Sequence, residues 1–537
     1  MGATRRVDQC NILEVKVKRV VAALTALLAL GSGSAQTLVF GQSGLPVSMN
    51  AATDGNSLTV MYQVLENLVF VEPGGTELMP GLATAWESND EGTVWTFTLR
   101  EGVTFHDGTP FNAEAAKFNF DRWNDPEFEF GFRDEGATYE AWGYVFGGFL
   151  GDEAAVLSEA NVIGEYTLEL VLTRPMGFLP AALSSSYFGM HSPAAIREAG
   201  ADYGTPTVGA VGTGPFRFVE WVDGSQVTLE RFEDYWGDAA GVERLVFRGI
   251  EDPTARLAEL QAGSIDIAVN LSPDDRATVE NDPNLEVVTA ESNLNVGYLA
   301  MHQANEPFDD PLVRQAVAHA IDWNEIVAAF FGEDAVVATQ FVPPGLIGRD
   351  ESLEPYAYDP ERARELLAEA GYEGGFATEL WYMPVSRPYF PAPEPIAAAM
   401  ASYLADVGIQ ASLMTQDWGT YLDSYQTGAF PMYMLGWSAD FADPDNFLYT
   451  FFSAAQQQSD LGWNDPEVAQ MLEEARQEPD EEVRAQLYAE VNRRVHEAVP
   501  SIPVAHNPVL NAVRAGVEGF MPSPLGSTVP FSTVTKD

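Results

Sequence analysis

Few side chains in this sequence are spaced for chemistry, and the most suggestive lie near residue 440. An apolar, strand-like run, Met432 to Leu435, ends in Gly436-Trp437-Ser438, and a carboxylate, Asp440, follows three residues after the Trp. Asp443-Pro444-Asp445 then reads as a turn before a second apolar run. An aromatic face beside an isolated acid at a strand end suits a ligand that is part apolar and part cationic. Taken alone, the same residues are better read as a strand, a buried Trp and an Asp-rich turn. Asp440, Asp443 and Asp445 also admit a reading as an acid–base or metal cluster, but their spacing around Pro444 fits a turn better and no His lies within the run. His106, beside Asp107-Gly108, is read as structural.

Enzyme signatures are missing. The sequence has no Gly-x-Ser-x-Gly, no His-Glu-x-x-His and no phosphate-binding loop; Gly212-Thr213-Gly214-Pro215 lacks the Lys-Ser/Thr that such a loop needs. The only cysteine is Cys10, so no disulfide and no cysteine-ligated metal is expected, and no cofactor is implied.

Composition narrows the partners. Acidic side chains number 79 against 28 basic ones, a formal charge of −51. Nucleic acid and anionic membrane surfaces are excluded as natural partners. Beyond residue 35 the only lysines are Lys117 and Lys536. Such a surface tolerates a saline habitat, where counterions screen its self-repulsion; compositional drift is the other reading. A chain of 537 residues exceeds what one core serves, so two or three domains are expected.

Residues 1–35 read as an export signal behind a mis-called start. Lys16, Lys18 and Arg19 precede the apolar run Val20 to Leu30, and Gly33-Ser34-Ala35 offers small residues for cleavage before Gln36. No cysteine near Ala35 is available for lipid attachment. The expected product is a freely diffusing periplasmic protein.

Stepping along the chain, Thr37–Phe40 is a strand candidate and Thr59–Val69 a helix. Leu82–Glu87 leads through a turn to Val94–Arg100, which alternates as a half-buried strand. Asn112 is placed to cap a helix over 113–123. Strands follow over 162–172 (a pair), 211–218 and 265–269, with a helix over 255–262. From residue 293 the pattern restarts. Strands are read at 296–301, 379–383 and 409–414, and helices at 311–320, 360–370, 395–407, 418–426, 466–476 and 480–495, after which comes Ile502-Pro503-Val504. This alternation predicts an α/β protein with largely parallel sheets.

These pieces in this order are similar to the peptide-type solute-binding proteins of ATP-binding-cassette importers, solute-binding protein family five. The resemblance runs through Leu82–Trp86, Trp95–Arg100, Gly102–Gly108, Gly212–Phe216, Pro307–Asp310, Val313–Ala316 and Ala320–Asp322. Two further stretches, Met383–Tyr389 and Gly436–Asp440 with Asp443–Phe447, resemble the dipeptide-binding members.

The resemblance implies a two-lobed fold with an extra domain. The first lobe would combine 36–68, 212–292 and 511–537; the extra domain would be 69–211 and the second lobe 293–510. It implies that Asp440 holds a peptide's α-ammonium and Arg387 its α-carboxylate. Trp437 and Tyr389 would wall the site, and Ser43, Gly44, Gly436 and Ser438 would face the peptide link. The implied partners are a short peptide and the importer's permease and ATPase, with the binding protein a monomer and not an enzyme. The loop Gly41–Pro46 and the absence of disulfides depart from some dipeptide binders. Other cargoes of the same family, namely longer peptides, nickel chelates, haem and oligosaccharides, remain alternatives, as does a periplasmic peptidase.

Overall fold

The computed structural model describes residues 36–51, 54–290 and 293–537; the segment read as an export signal and Cys10 lie outside the described residues. The fold is mixed α/β and built on three main sheets.

The first sheet has seven strands, with Thr37–Gln42 at its centre between Arg244–Gly249 and Ile267–Leu271. Its outer strands include Phe216–Val222, Gln226–Arg231, Leu285–Val288 and the late strand Leu510–Arg514. The second sheet has six strands; Asn295–Met301 and Met432–Ser438 are neighbours in its middle, flanked by Ser501–His506 and Phe376–Trp381. All seven residues of Asn295–Met301 are buried, as a strand covered on both faces requires. The third sheet is a four-stranded antiparallel unit, Ala83–Ser88, Val94–Leu99, Thr167–Leu172 and Leu157–Gly164.

The largely parallel arrangement expected from the sequence is not found. Among the described residues, parallel pairing is confined to the neighbours of Thr37–Gln42 and of Phe376–Trp381. The alternation of helix and strand reports the length of connections; it does not report which edge of a sheet the next strand joins. Phe216–Val222 and Gln226–Arg231, for example, are joined by a three-residue turn and must run antiparallel.

Helix starts follow local chemistry. Asp252, Asp310, Asp359 and Asp465 each cap a helix whose first residue is Pro, and each accepts a backbone N–H of the first turn. Asn112 caps Ala113–Asn124 through the N–H of Ala115. The predicted helix over 59–69 is displaced: it spans Gly55–Val64, capped by Asp54, and Leu65 is already extended. The next residues are held elsewhere. Asn67 Nδ2 donates to the carbonyls of Leu183 and Ser185, and the Glu66 carbonyl accepts from Met190.

The third sheet is welded to the first. Helix Ala113–Asn124 places Phe120 and Trp123 in the third sheet's core and Phe118 in the first sheet's, where Ile196 and Tyr203 join it. His106 reinforces the seam: one ring nitrogen lies 2.9 Å from the carbonyl of Gly214, and burial pushes its pKa down to about 4. It is a structural, neutral imidazole.

Candidate functional site

The site is organised by two glycines. Gly436 on Met432–Ser438 faces Gly297 on Asn295–Met301 across the ladder. A Cβ on Gly436 would lie 2.2 Å from Cδ2 of Tyr389 and 2.6 Å from the carbonyl of Val296; one on Gly297 would lie 2.4 Å from the carbonyl of Tyr389. The pair thus forms a trough in which the Arg387–Phe390 turn rests directly on the sheet. Arg387 and Phe390 exchange backbone hydrogen bonds of 3.1 and 3.0 Å, closing the turn. Asn507 Nδ2 donates to the carbonyl of Pro388 at 2.6 Å, and Asn507 is itself bonded to Asn295.

The turn presents Arg387, whose guanidinium carbon is 5.1 Å from the centroid of the Trp418 ring. Among the described residues Arg387 has no ion pair, although acids outnumber bases by almost three to one in this chain. Tyr389 is buried beside it; burial pushes its hydroxyl up to about 12, with Arg387 acting in the opposite sense.

At the end of the strand, one amide oxygen places two predicted residues. Asn446 Oδ1 accepts from Trp437 Nε1 at 3.0 Å and from the backbone N–H of Asp440 at 2.8 Å. The Asp440 carboxylate accepts a hydrogen bond of 2.6 Å from the hydroxyl of Tyr144. Burial pushes its pKa up to about 6, against the hydrogen bonds of Tyr144 and Asn446. Among the described residues no Lys, Arg or His pairs with it.

Asp443 and Asp445 turn away from this acid. Asp443 receives Arg484 Nη2 at 2.7 and 2.8 Å, and Asp445 lies 3.2 Å from Arg476 Nε, all four side chains being buried. They anchor the turn, as its spacing around Pro444 suggested, and among the described residues no acid or His cluster is arranged to hold a metal.

Arg387, Tyr389, Gly436, Trp437, Ser438 and Asp440 therefore gather on one sheet. Ser43 and Gly44 are not on this sheet; they lie just beyond Thr37–Gln42 of the first sheet. The Ser43 hydroxyl donates to Asn56 at 3.2 Å, and the Gly44 carbonyl accepts from Gln42 Nε2 at 2.8 Å. Gly436 is buried, and the Tyr389 ring accounts for its lack of a side chain. Sequence reasoning missed Tyr144, Asn446, Trp418, Asn507 and Gly297. Only Gly297 carried a usable signal, an isolated glycine inside an apolar strand.

The profile of bacterial extracellular solute-binding proteins, family 5 Middle, matches residues 77–459. The dipeptide-binding protein of Escherichia coli K12 is 34% identical over 518 residues, covering 94% of this chain and 95% of that protein. Heme-binding protein A of Haemophilus influenzae is 32% identical over 94% of this chain and 93% of its own length. Among solved structures, a dipeptide-binding protein from Pseudoalteromonas sp. SM9913 in complex with Met-Leu superposes with a TM-score of 0.80 at 28% identity, covering 94% of this chain and all of that one. On these grounds the chain belongs to family 5 of the bacterial extracellular solute-binding proteins.

Proposed function

We propose that this protein binds dipeptides and other short peptides between its two lobes, outside the cytoplasm, and hands them to the permease of an ATP-binding-cassette importer. One observation carries the reading: among the described residues, a carboxylate without a cation and a guanidinium without an anion stand on the same sheet, Asp440 and Arg387. A zwitterion satisfies both. Asp440 takes the α-ammonium, and the planar fork of Arg387 takes the α-carboxylate. Trp437 and Tyr389 wall the space between them, and Ser438 lies at its floor. Ser43 and Gly44 approach from the first lobe.

Names of relatives support the cargo: one binds dipeptides, and another was solved with Met-Leu. The mobile units are 36–68 with 69–211, 212–292 and 511–537 on one side, and 293–510 on the other. Arg276 and Asp334 form an ion pair between these two sides. The role is binding by a monomer, without catalysis, after export directed by the apolar segment before Gln36.

Mass spectrometry of small molecules released from protein purified out of its native cells tests the cargo. Free dipeptides or short peptides are the expected result. A co-purified haem, chelated metal or oligosaccharide would overturn it.

A further inference from the structure

The extra domain reaches the ligand site. It shares a continuous core with the first lobe through Phe118, Ile196 and Tyr203, so the two form one body. That body meets the second lobe along the turn that follows Asp440. Phe441, 1% exposed, is packed in the extra domain's core, its ring stacked on Phe178 at 5.7 Å with 9° between the planes. Arg476, the partner of Asp445, donates from Nη2 to the carbonyl of Val145 at 2.7 Å. Its own carbonyl accepts from the N–H of Gly177 at 3.0 Å.

Within this seam, Tyr144 precedes Val145 and donates its hydroxyl to Asp440, yet 39% of Tyr144 stays exposed. Tyr187, from the same domain, feels the charge of this carboxylate: burial first and Asp440 second raise its hydroxyl well above the usual value. A tyrosine carried by one lobe's body therefore holds an acid carried by the other, with the charge of that acid felt by a second.

We infer that Tyr144, backed by Tyr187, is a specificity-determining residue of the ligand site: brought across the cleft by the extra domain, it orients Asp440 and ends the cleft there, so that a ligand must finish in a free ammonium. This rests on the assignment of Asp440 to the ammonium. A hydroxyl suits the task because it fixes a carboxylate without cancelling its charge; a Lys or Arg in its place would leave nothing for the ligand to neutralise. The tyrosine rings add electron-rich faces to a pocket for a cation. Burial of Phe441, the adjacent residue, sets where Asp440 stands relative to Tyr144.

Titration calorimetry between pH 5 and 8 with Met-Leu and N-acetyl-Met-Leu tests this on the full-length protein. The variants are Tyr144→Phe, Tyr144→Ala and, for the underlying assignment, Asp440→Asn. The groups around Asp440 are Tyr144 and Tyr187 from the extra domain and Asn446 from its own lobe, with the charges of Glu140 and Asp54 also acting on the tyrosines. Tyr144→Phe keeps the ring and removes the hydroxyl. It should weaken Met-Leu about tenfold and move the acid limb of the affinity profile to higher pH. Tyr144→Ala should open the end of the cleft and narrow the preference for Met-Leu over its acetylated form by about tenfold.

If Asp440→Asn weakens Met-Leu while both Tyr144 variants leave affinity, acid limb and acetyl discrimination within about twofold of wild type, the inference fails and the site assignment stands. Equal weakening of both ligands with an unmoved acid limb marks Tyr144 as merely structural and also overturns it. If Asp440→Asn itself leaves Met-Leu unaffected, the assignment of the ammonium site fails and takes the inference with it.

Discussion

The ring of Tyr389 fills the space in which a side chain on Gly436 would have to stand, the nearest ring carbon lying 2.2 Å from an ideal Cβ. Two segments almost fifty residues apart in sequence thus interlock, and the turn that presents Arg387 is seated by the absence of a methyl group. Gly297, opposite in the ladder, does the same for the backbone of that turn.

Gly436→Ala should therefore act on both stability and binding. The methyl meets the Tyr389 ring and the backbone carbonyl of Val296, and the carbonyl has little freedom to move. Overpacking of this kind costs about 1–3 kcal/mol. Denaturant unfolding should show the loss, and dipeptide affinity should fall with it as the Arg387 turn lifts. Unchanged stability and affinity would show that the trough is more forgiving than its geometry.

Removing the two site charges should separate the ends of the ligand. Asp440→Asn keeps the shape and loses the charge; Arg387→Lys keeps the charge and loses the fork. Each should cost about 2–5 kcal/mol of dipeptide binding, roughly 30- to several-thousand-fold. Asp440→Asn should discriminate less against N-acetylated dipeptides, and Arg387→Lys less against C-amidated ones. Calorimetric affinities within twofold of wild type for both variants would remove these residues as terminal clamps.

The buried pairs behind the turn should behave differently from surface ones. Asp443 and Arg484 are 7% and 5% exposed at their side chains. Arg484→Met leaves the Asp443 carboxylate buried without its cation, at a cost of about 3–5 kcal/mol. Arg484→Met with Asp443→Leu removes both charges and should recover most of that loss. Thermal or denaturant unfolding of the single and double variants makes the comparison; equal stability of single variant and wild type would contradict it.

Glu66 gives a pH dependence with a definite sign. It is buried and accepts hydrogen bonds of 2.7 Å from Thr213, Tyr235 and Trp236. Burial outweighs these donors and raises its pKa from 4.5 to about 7. The native state holds this proton where the unfolded chain has released it. Its contribution to stability is complete below pH 4.5, declines as pH rises through about 7, and amounts to about 3 kcal/mol at most. Glu66→Gln cannot titrate, so the stability difference between wild type and variant should shift against wild type as pH climbs through that window. Parallel melting profiles across pH 4.5–8 would show that Glu66 does not titrate there.

What the sequence determined by itself was local. Asp310-Pro311, Asp359-Pro360 and Asp465-Pro466 mark helix starts because a cap and its first turn are neighbours in the chain. The strand leading to Gly436 and the Asp-rich turn after Asp440 were readable for the same reason, and the order of motifs was enough to indicate the family. Tertiary structure decided whatever depends on residues distant in the chain. The helix predicted to reach Val69 stops at Val64, and Glu66 and Asn67 beyond it bond to segments more than a hundred residues away. Sheet direction depends on which edge each strand joins, and hydrophobic alternation is blind to that. That position 436 is a glycine is decided by the Tyr389 ring, which fills the place of a side chain. Tyr144 stands 296 positions from Asp440, and neither residue carries a mark of the other. A hydrogen bond that spans two domains has no local pattern, because the geometry that forms it exists only when the domains have packed.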